Sequence, residues 1–237
     1  MRSMKYLMSL FAIAAVLFMA IVPVAASPSE APSTQTNLLS NPSFESFSGG
    51  TASSWAVWSV PGTGCGRSTP TAQQASKTLD GRRVKDGSSA QQLLTPVVDP
   101  GFSFLAGVQQ TVNVTPGRKY KFSVWAQMWS SIADNAGASE GAGPANFQVG
   151  IGQGATYAAD PGVARSGLSD FRDNYGQLSV EAVATGGQLT VFIYSNPQNC
   201  NKHTEVFFDD ASLVEVGAPA ATTASGPPPT AGPTSPP

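Results

Sequence analysis

Flat aromatic rings that alternate with amides are the side chains in this sequence best suited to recognition chemistry. In the stretch 119–129, Lys119, Lys121, Ser123, Trp125, Gln127 and Trp129 fall on one parity. In 188–195 the matching set is Gln188, Thr190, Phe192 and Tyr194, and in 146–152 it is Asn146, Gln148, Gly150 and Gly152. If these stretches share a sheet, Trp125, Gln127, Trp129, Gln148, Phe192 and Tyr194 make one mixed face. Apolar patches of that kind mark recognition surfaces. Rings beside amides and hydroxyls suit a sugar, which has CH-rich faces and a rim of hydroxyls. In the alternative, a loop such as 130–145 folds over this face and makes the rings a second small core.

Catalytic constellations are scarce. His203 is the only histidine, so a Ser-His-acid triad has one possible imidazole, and no Gly-x-Ser-x-Gly elbow supplies its serine. Glycosidase chemistry needs two carboxylates at a set separation, and nothing in the spacing singles out Asp170, Asp173 or Glu181 for it. The chain is therefore read as non-catalytic. One histidine and two cysteines cannot furnish the four ligands of a zinc site built from those residues alone. The net charge is −2 with no basic cluster, which excludes the concentrated Lys/Arg surface that nucleic acid requires.

Recognition residues need elements to hold them, and the composition points to strands. The chain has 237 residues, 41% of them apolar and 12% charged, with 24 Gly and 19 Pro. Short alternating runs recur between Gly, Pro, Asn and Asp turns. Val108–Val114 runs into the turn Thr115-Pro116-Gly117. Tyr120, Phe122, Val124, Ala126 and Met128 then share one face of the next strand. Further strands are expected over 146–152, 177–184, 188–195 and 205–215, with Val180, Ala182, Leu189, Val191 and Ile193 facing inward. No segment carries a three-turn amphipathic helix. The expected fold is all-β, two antiparallel sheets packed as a β-sandwich, so that each covers the other's apolar face.

The ends are of different character. Arg2 and Lys5 precede an apolar stretch from Leu7 to Val22, and Pro23 and Val24-Ala25-Ala26 follow. This pattern reads as a signal peptide over 1–26 cleaved after Ala26, the rival being an uncleaved anchor. Cleavage leaves 11 basic and 15 acidic side chains, a net charge of −4. Residues 27–36 form a polar leader. The tail 217–237, rich in Pro, Thr and Ala with no charge, cannot offset its ordering entropy and is expected to be disordered. The domain is thus 37–216. The product is expected to be secreted or held at the cell surface, a monomer, with no membrane insertion after cleavage. In an exported chain, Cys65 and Cys200 are expected to form one disulfide, free or intermolecular thiols being the alternative. Asn113-Val114-Thr115 matches the short glycosylation pattern.

Within 37–216 several segments resemble a known family, the CenC-like, cellulose-binding carbohydrate-binding modules with a galactose-binding-like jelly roll. Asn37-Leu38-Leu39-Ser40-Asn41-Pro42-Ser43-Phe44-Glu45 followed by Trp55 is similar to that family's first strand. Val108–Val112 with Thr115–Trp125 resembles its central hairpin, and Phe208-Asp209-Asp210-Ala211-Ser212-Leu213 its closing strand. The resemblance implies a jelly roll that binds a polysaccharide or cell-wall glycan. It also implies a structural calcium ion held by Glu45 and Asp209 with backbone carbonyls, and Asp86 in the loop Lys85–Ser89 as a further candidate ligand. Asp209 lies on the alternation of Phe207, Ala211 and Leu213 and is expected to face inward, where a carboxylate needs a cation or several donors. Calcium takes 6–8 oxygen ligands; backbone N–H groups are the alternative. A second reading of the same sandwich is a structural or adhesive cell-envelope module that binds protein or wall polymer.

Overall fold

The computed structural model describes residues 35–60, 68–97, 101–134, 136–198 and 201–217. The segment read as a signal peptide, most of the expected leader and tail, and both Cys65 and Cys200 lie outside the described residues. Among the described residues twelve strands follow one another: β1 (Phe47–Ser48), β2 (Thr51–Ala52), β3 (Ala56–Ser59), β4 (Thr71–Ser76), β5 (Ser89–Leu94), β6 (Ala106–Asn113), β7 (Lys119–Ser131), β8 (Gln148–Gln153), β9 (Ala164–Arg165), β10 (Gly176–Val183), β11 (Gln188–Ser195) and β12 (His203–Glu215). The first sheet has the order β10-β7-β12-β5-β4 and the second β3-β6-β11-β8-β9, every pairing antiparallel. A short hairpin, β1-β2, stands apart from them. This is the two-sheet β-sandwich that the alternation implies, and its strands pass from sheet to sheet as a jelly roll does.

The inner faces meet in one core. The first sheet contributes Leu93, Phe122, Val124, Ala126, Met128, Val206, Phe208 and Leu213, and the second Val108, Val149, Ile151, Leu189, Val191 and Ile193. Among the polar groups that enter this core Gln91 is fully hydrogen-bonded, as burial demands. Gln91 is fully buried; its Oε1 accepts from Ala52 N at 2.7 Å and its Nε2 donates to the carbonyls of Gly50, Gln73 and Gln92. It thereby fastens the β1-β2 hairpin to β4 and β5. Gly50 sits there at φ +85, and a Cβ on it would lie 2.4 Å from Ala72 O.

The N-terminal segment closes the sandwich by pairing with the end of β12. Leu38 N donates to Leu213 O, and Asn37 accepts from Leu213 N and donates to Ala211 O. Asn41 then folds the chain back. Its Oδ1 accepts from Glu45 N and Ser46 N, and its carbonyl accepts from the Trp55 indole. Phe44, at φ 50, is driven into the core against Trp55, with ring centroids 4.9 Å apart.

One register shift changes the expected facing of β12. Val206 and Phe208 point into the core and Phe207 points out, but between Asp209 and Ser212 the pairing with β7 slips at a bulge, with Asp210 at φ 48. An extra residue reverses the alternation. Ala211 and Leu213 therefore return to the core, whereas Asp209, paired with Trp125, stays on the outer side. The expectation that Asp209 shares an inward face with Ala211 and Leu213 is corrected accordingly.

Candidate functional site

The six residues expected on one aromatic face are divided between two. Strand β7 pairs with β10 and β12, whereas β11 pairs with β6 and β8. Trp125, Gln127 and Trp129 thus lie on the outer face of the first sheet, and Gln148, Phe192 and Tyr194 on the outer face of the second. The thickness of the sandwich separates them. A shared sheet was the premise of the single face, and long-range pairing overturns it.

The second sheet's outer face is organised by a row running straight across four strands: Trp58 on β3, Gly107 on β6, Tyr194 on β11 and Gln148 on β8. Trp55 and Trp58 are three residues apart on an extended chain, so one ring enters the core and the other leaves it. Gly107 lets the two flanking rings meet. A Cβ there would come 3.0 Å from Trp58 Cζ2 and 1.6 Å from Ile193 O. Trp58 and Tyr194 pack edge to face at 4.8 Å, a favourable aromatic geometry.

The segment 154–165 covers part of this face. Phe192 is fully buried beneath it, beside Ala158 and Val163, so this ring belongs to a second small core and offers no surface to a ligand. Arg165 holds the cover down. Its terminal nitrogens donate to the carbonyls of Val163, Ala158 and Asp160, and its guanidinium lies 5.4 Å from the Tyr194 ring centroid. Tyr194 donates its hydroxyl to Ala158 O at 2.7 Å, and burial pushes its pKa up.

Beside this cover a cleft of ≈ 260 Å³ stays open, lined by Trp58, Tyr194, Gln148, Asn146, Asn196 and Arg165, with Leu168 on its rim. The Trp58 indole N–H is buried with no partner. Gln148 Nε2 donates to Ser166 O and Asn146 Nδ2 to Asn196 O, which leaves both side-chain carbonyl oxygens free to accept. The cleft therefore offers the half-buried Trp58 ring, one unpaired donor and the amide oxygens of Gln148 and Asn146, while the Tyr194 ring behind it is only 6% exposed; among the described residues no carboxylate lines it. Trp58 was missed by the strand-parity reading, although Trp55-Ala56-Val57-Trp58 carries the signal.

On the opposite face, Trp125 is half-buried beneath Lys85, whose Nζ lies 4.5 Å from the ring centroid. Gln127 is fully buried and donates to Arg82 O. Trp129 is 7% exposed, packed against Arg83 on β7's outer side and 5.5 Å from the His203 ring. Gln127 and Trp129 are thus withdrawn from solvent, and Trp125 carries Lys85 over its ring.

The calcium ligands are likewise rearranged. Asp209 is fully buried under the 83–87 loop. Its Oδ2 accepts from Lys85 N at 2.8 Å and Asp86 N at 3.1 Å, and its Oδ1 from Asp210 N at 2.8 Å. Glu45 Oε1 accepts from Ser88 N and Ser89 N. A Cβ on Gly87, at φ +66, would meet that same oxygen at 2.0 Å. Asp86 is exposed. Among the described residues no three His, Cys, Asp or Glu side chains are grouped so as to hold a metal ion. The two carboxylates clamp the two halves of one loop through N–H groups, two on Asp209 Oδ2 and two on Glu45 Oε1. The residues Glu45, Asp86 and Asp209 do not fit a calcium ion in this arrangement.

No family model matches the chain, and no curated protein matches it. Solved structures do. TmCBM61 in complex with beta-1,4-galactotriose is 14% identical, with a TM-score of 0.50 over 76% of this chain and 99% of that one. An apo cyclase from Fischerella sp. is 17% identical, with a TM-score of 0.53 over 77% and 97%. A Stig cyclase, Fisc from Fischerella sp. TAU, is 16% identical, with a TM-score of 0.51 over 77% and 98%. These likenesses establish the jelly-roll β-sandwich. The fold is shared by a carbohydrate-binding module and by enzymes, so function has to be argued from the site.

Proposed function

We propose that this chain is a non-catalytic glycan-binding module that uses the Trp58–Tyr194 cleft. The observation that carries the reading is the buried Trp58 indole N–H, without a partner among the described residues, in a cleft that also holds the free side-chain oxygens of Gln148 and Asn146. An unsatisfied buried donor is costly, and a sugar hydroxyl accepts from it. The ligand's other hydroxyls donate to Gln148 and Asn146, while its CH face lies against the half-buried Trp58 ring. The TmCBM61 likeness adds a precedent for a β-1,4-galactotriose ligand on this fold. The apolar Leu7–Val22 stretch and the small-residue site after it support export, where polysaccharide is available to bind.

The test is isothermal titration of the mature protein against neutral polysaccharides, with β-1,4-galactotriose among the probes, wild type beside Trp58→Ala. The expected result is weak, enthalpic binding by the wild type and a loss of about tenfold or more in the variant, the worth of one stacked ring and one hydrogen bond. Equal affinity of the two proteins, or no glycan bound by either, refutes the assignment.

A further inference from the structure

A second cleft, of ≈ 300 Å³, lies on the outer face of the first sheet, roofed by the 79–83 turn. Two register rows form its floor: Trp129 with Glu205, and Phe207 with Gln92 and Gln73. Arg83 enters from the turn. Its guanidinium lies 5.3 Å from the Trp129 ring centroid and 5.2 Å from that of Phe207. The rings are thus already occupied by a cation, and a sugar face or an external ammonium finds no ring to stack on.

What the cleft still offers is hydrogen bonding. The Arg83 side chain is 12% exposed, and its one ion partner is Asp80, met through Nε at 3.4 Å. Asp80 is itself bonded by Arg82 through three nitrogens. Among the described residues the two terminal Arg83 nitrogens make no hydrogen bond, unlike those of Arg165 on the other face. The Trp129 indole N–H is buried without a partner, in a residue 7% exposed. Glu205 takes a hydrogen bond from Gln92 at 2.7 Å on Oε2, and Oε1 is left free. Beside an unpaired guanidinium fork and an unpaired indole donor there is thus one charged acceptor, with the side-chain amides of Gln73, Gln74 and Gln92 along the same cleft.

We propose that this cleft is a second binding site, for a uronic acid residue of an acidic glycan, with the sugar carboxylate on the Arg83 fork. A planar carboxylate matches two parallel guanidinium N–H groups, which a hydroxyl or an ammonium does not. A hydroxyl oxygen of the same residue accepts from Trp129, and a neighbouring hydroxyl donates to Glu205. The carboxylate's place beside Glu205 costs affinity through like charge, and hydroxyl recognition is what the glutamate supplies in return. This site is independent of the neutral-glycan cleft, since the two lie on opposite faces of the sandwich.

Trigalacturonate titrated into the mature protein tests it, with β-1,4-galactotriose and succinate as the neutral-sugar and plain-carboxylate arms. Trigalacturonate is expected to bind, and Arg83→Gln to weaken it by about tenfold or more. Glu205→Gln, which keeps the shape and removes the repelling charge, is expected to bind trigalacturonate several-fold more tightly. That gain cannot come from misfolding, so it decides the matter if Arg83→Gln fails to fold. No binding of trigalacturonate, no loss in a folded Arg83→Gln, or a loss in Glu205→Gln overturns the proposal. Succinate binding as tightly as trigalacturonate overturns its sugar part.

Discussion

Asp209 provides the sharpest quantitative test, because its burial has a definite consequence for stability against pH. Three backbone N–H groups face its carboxylate, yet burial outweighs them and raises its pKa from 3.8 to about 7. The folded protein then holds a proton that the unfolded chain releases. Stability from this group is full below about pH 4 and is lost as pH rises through about 7. A displacement of about 3 pK units corresponds to a loss of at most about 4 kcal/mol across that window. Glu205, whose pKa is also raised by burial, adds a change of the same sign. The exposed carboxylates held low by partners, Asp134, Asp160 and Glu181, act in the opposite sense but below about pH 4. The assay is urea unfolding in EDTA at half-unit steps from pH 4.5 to 8, with Asp209→Ala beside the wild type. The wild type is expected to lose stability with rising pH and the variant to show a much flatter curve. Stability that climbs over this interval in EDTA refutes the burial argument. Repeating the series with calcium tests the fit directly: a cation at Asp209 favours the carboxylate and stabilises the native state by mass action. A melting temperature raised by calcium would overturn the conclusion that these ligands do not fit it.

Gly107→Ala should be strongly destabilising, by about 2 kcal/mol or more, because the new methyl collides with the Ile193 carbonyl and the Trp58 ring; denaturant unfolding measures this, and a change under 0.5 kcal/mol would show that the strands can part at no cost. The glycan and uronate titrations above test the two clefts separately. A disulfide between Cys65 and Cys200 is expected from the frame around them. Strands β4 and β12 run in the same direction on either side of β5, with Thr71 and Glu205 both registered on Leu94. Their starting ends are thus about 10 Å apart, and the cysteines precede Thr71 and Glu205 by six and five residues. Intact mass after alkylation without reductant should show no adduct, and reduction should lower stability by up to roughly 5 kcal/mol; two alkylated thiols in the unreduced protein would exclude the bond.

The parity of the strands was legible in the sequence, and the partners of the strands were not. Alternation is a local property, so Tyr120, Phe122, Val124, Ala126 and Met128 declare their common face without reference to any other segment. Sheet membership is decided by contacts between distant segments. Nothing in Trp125 or Tyr194 records that β7 pairs with β10 and β12 while β11 pairs with β6 and β8. The facing of Asp209 was misread for a related reason. One inserted residue at the bulge reverses parity, and the pair Asp209-Asp210 carries no mark of which residue is extra. The cover over Phe192 was foreseen as a possibility but assigned to 130–145. Segment 154–165 supplies it instead, because Gly150 and Gly152 leave room above β8 for Val163 and Thr156.

The two faces differ less in their rings than in what their arginines still have to give. Each face places a guanidinium over aromatic side chains: Arg165 over Tyr194, and Arg83 over Trp129 and Phe207. Arg165 spends its terminal nitrogens on three carbonyls of its own loop, so it acts as a brace, and the cleft beside it recognises through Trp58 and neutral amides. Arg83 is set by stacking and by a single contact at Nε, so its fork is held in place without being consumed. Stacking fixes position at little cost in donors. A charged side chain positioned in that way is pre-organised for an anion, whereas one tied to backbone is not. The same residue type therefore closes one face to charge and opens the other to it.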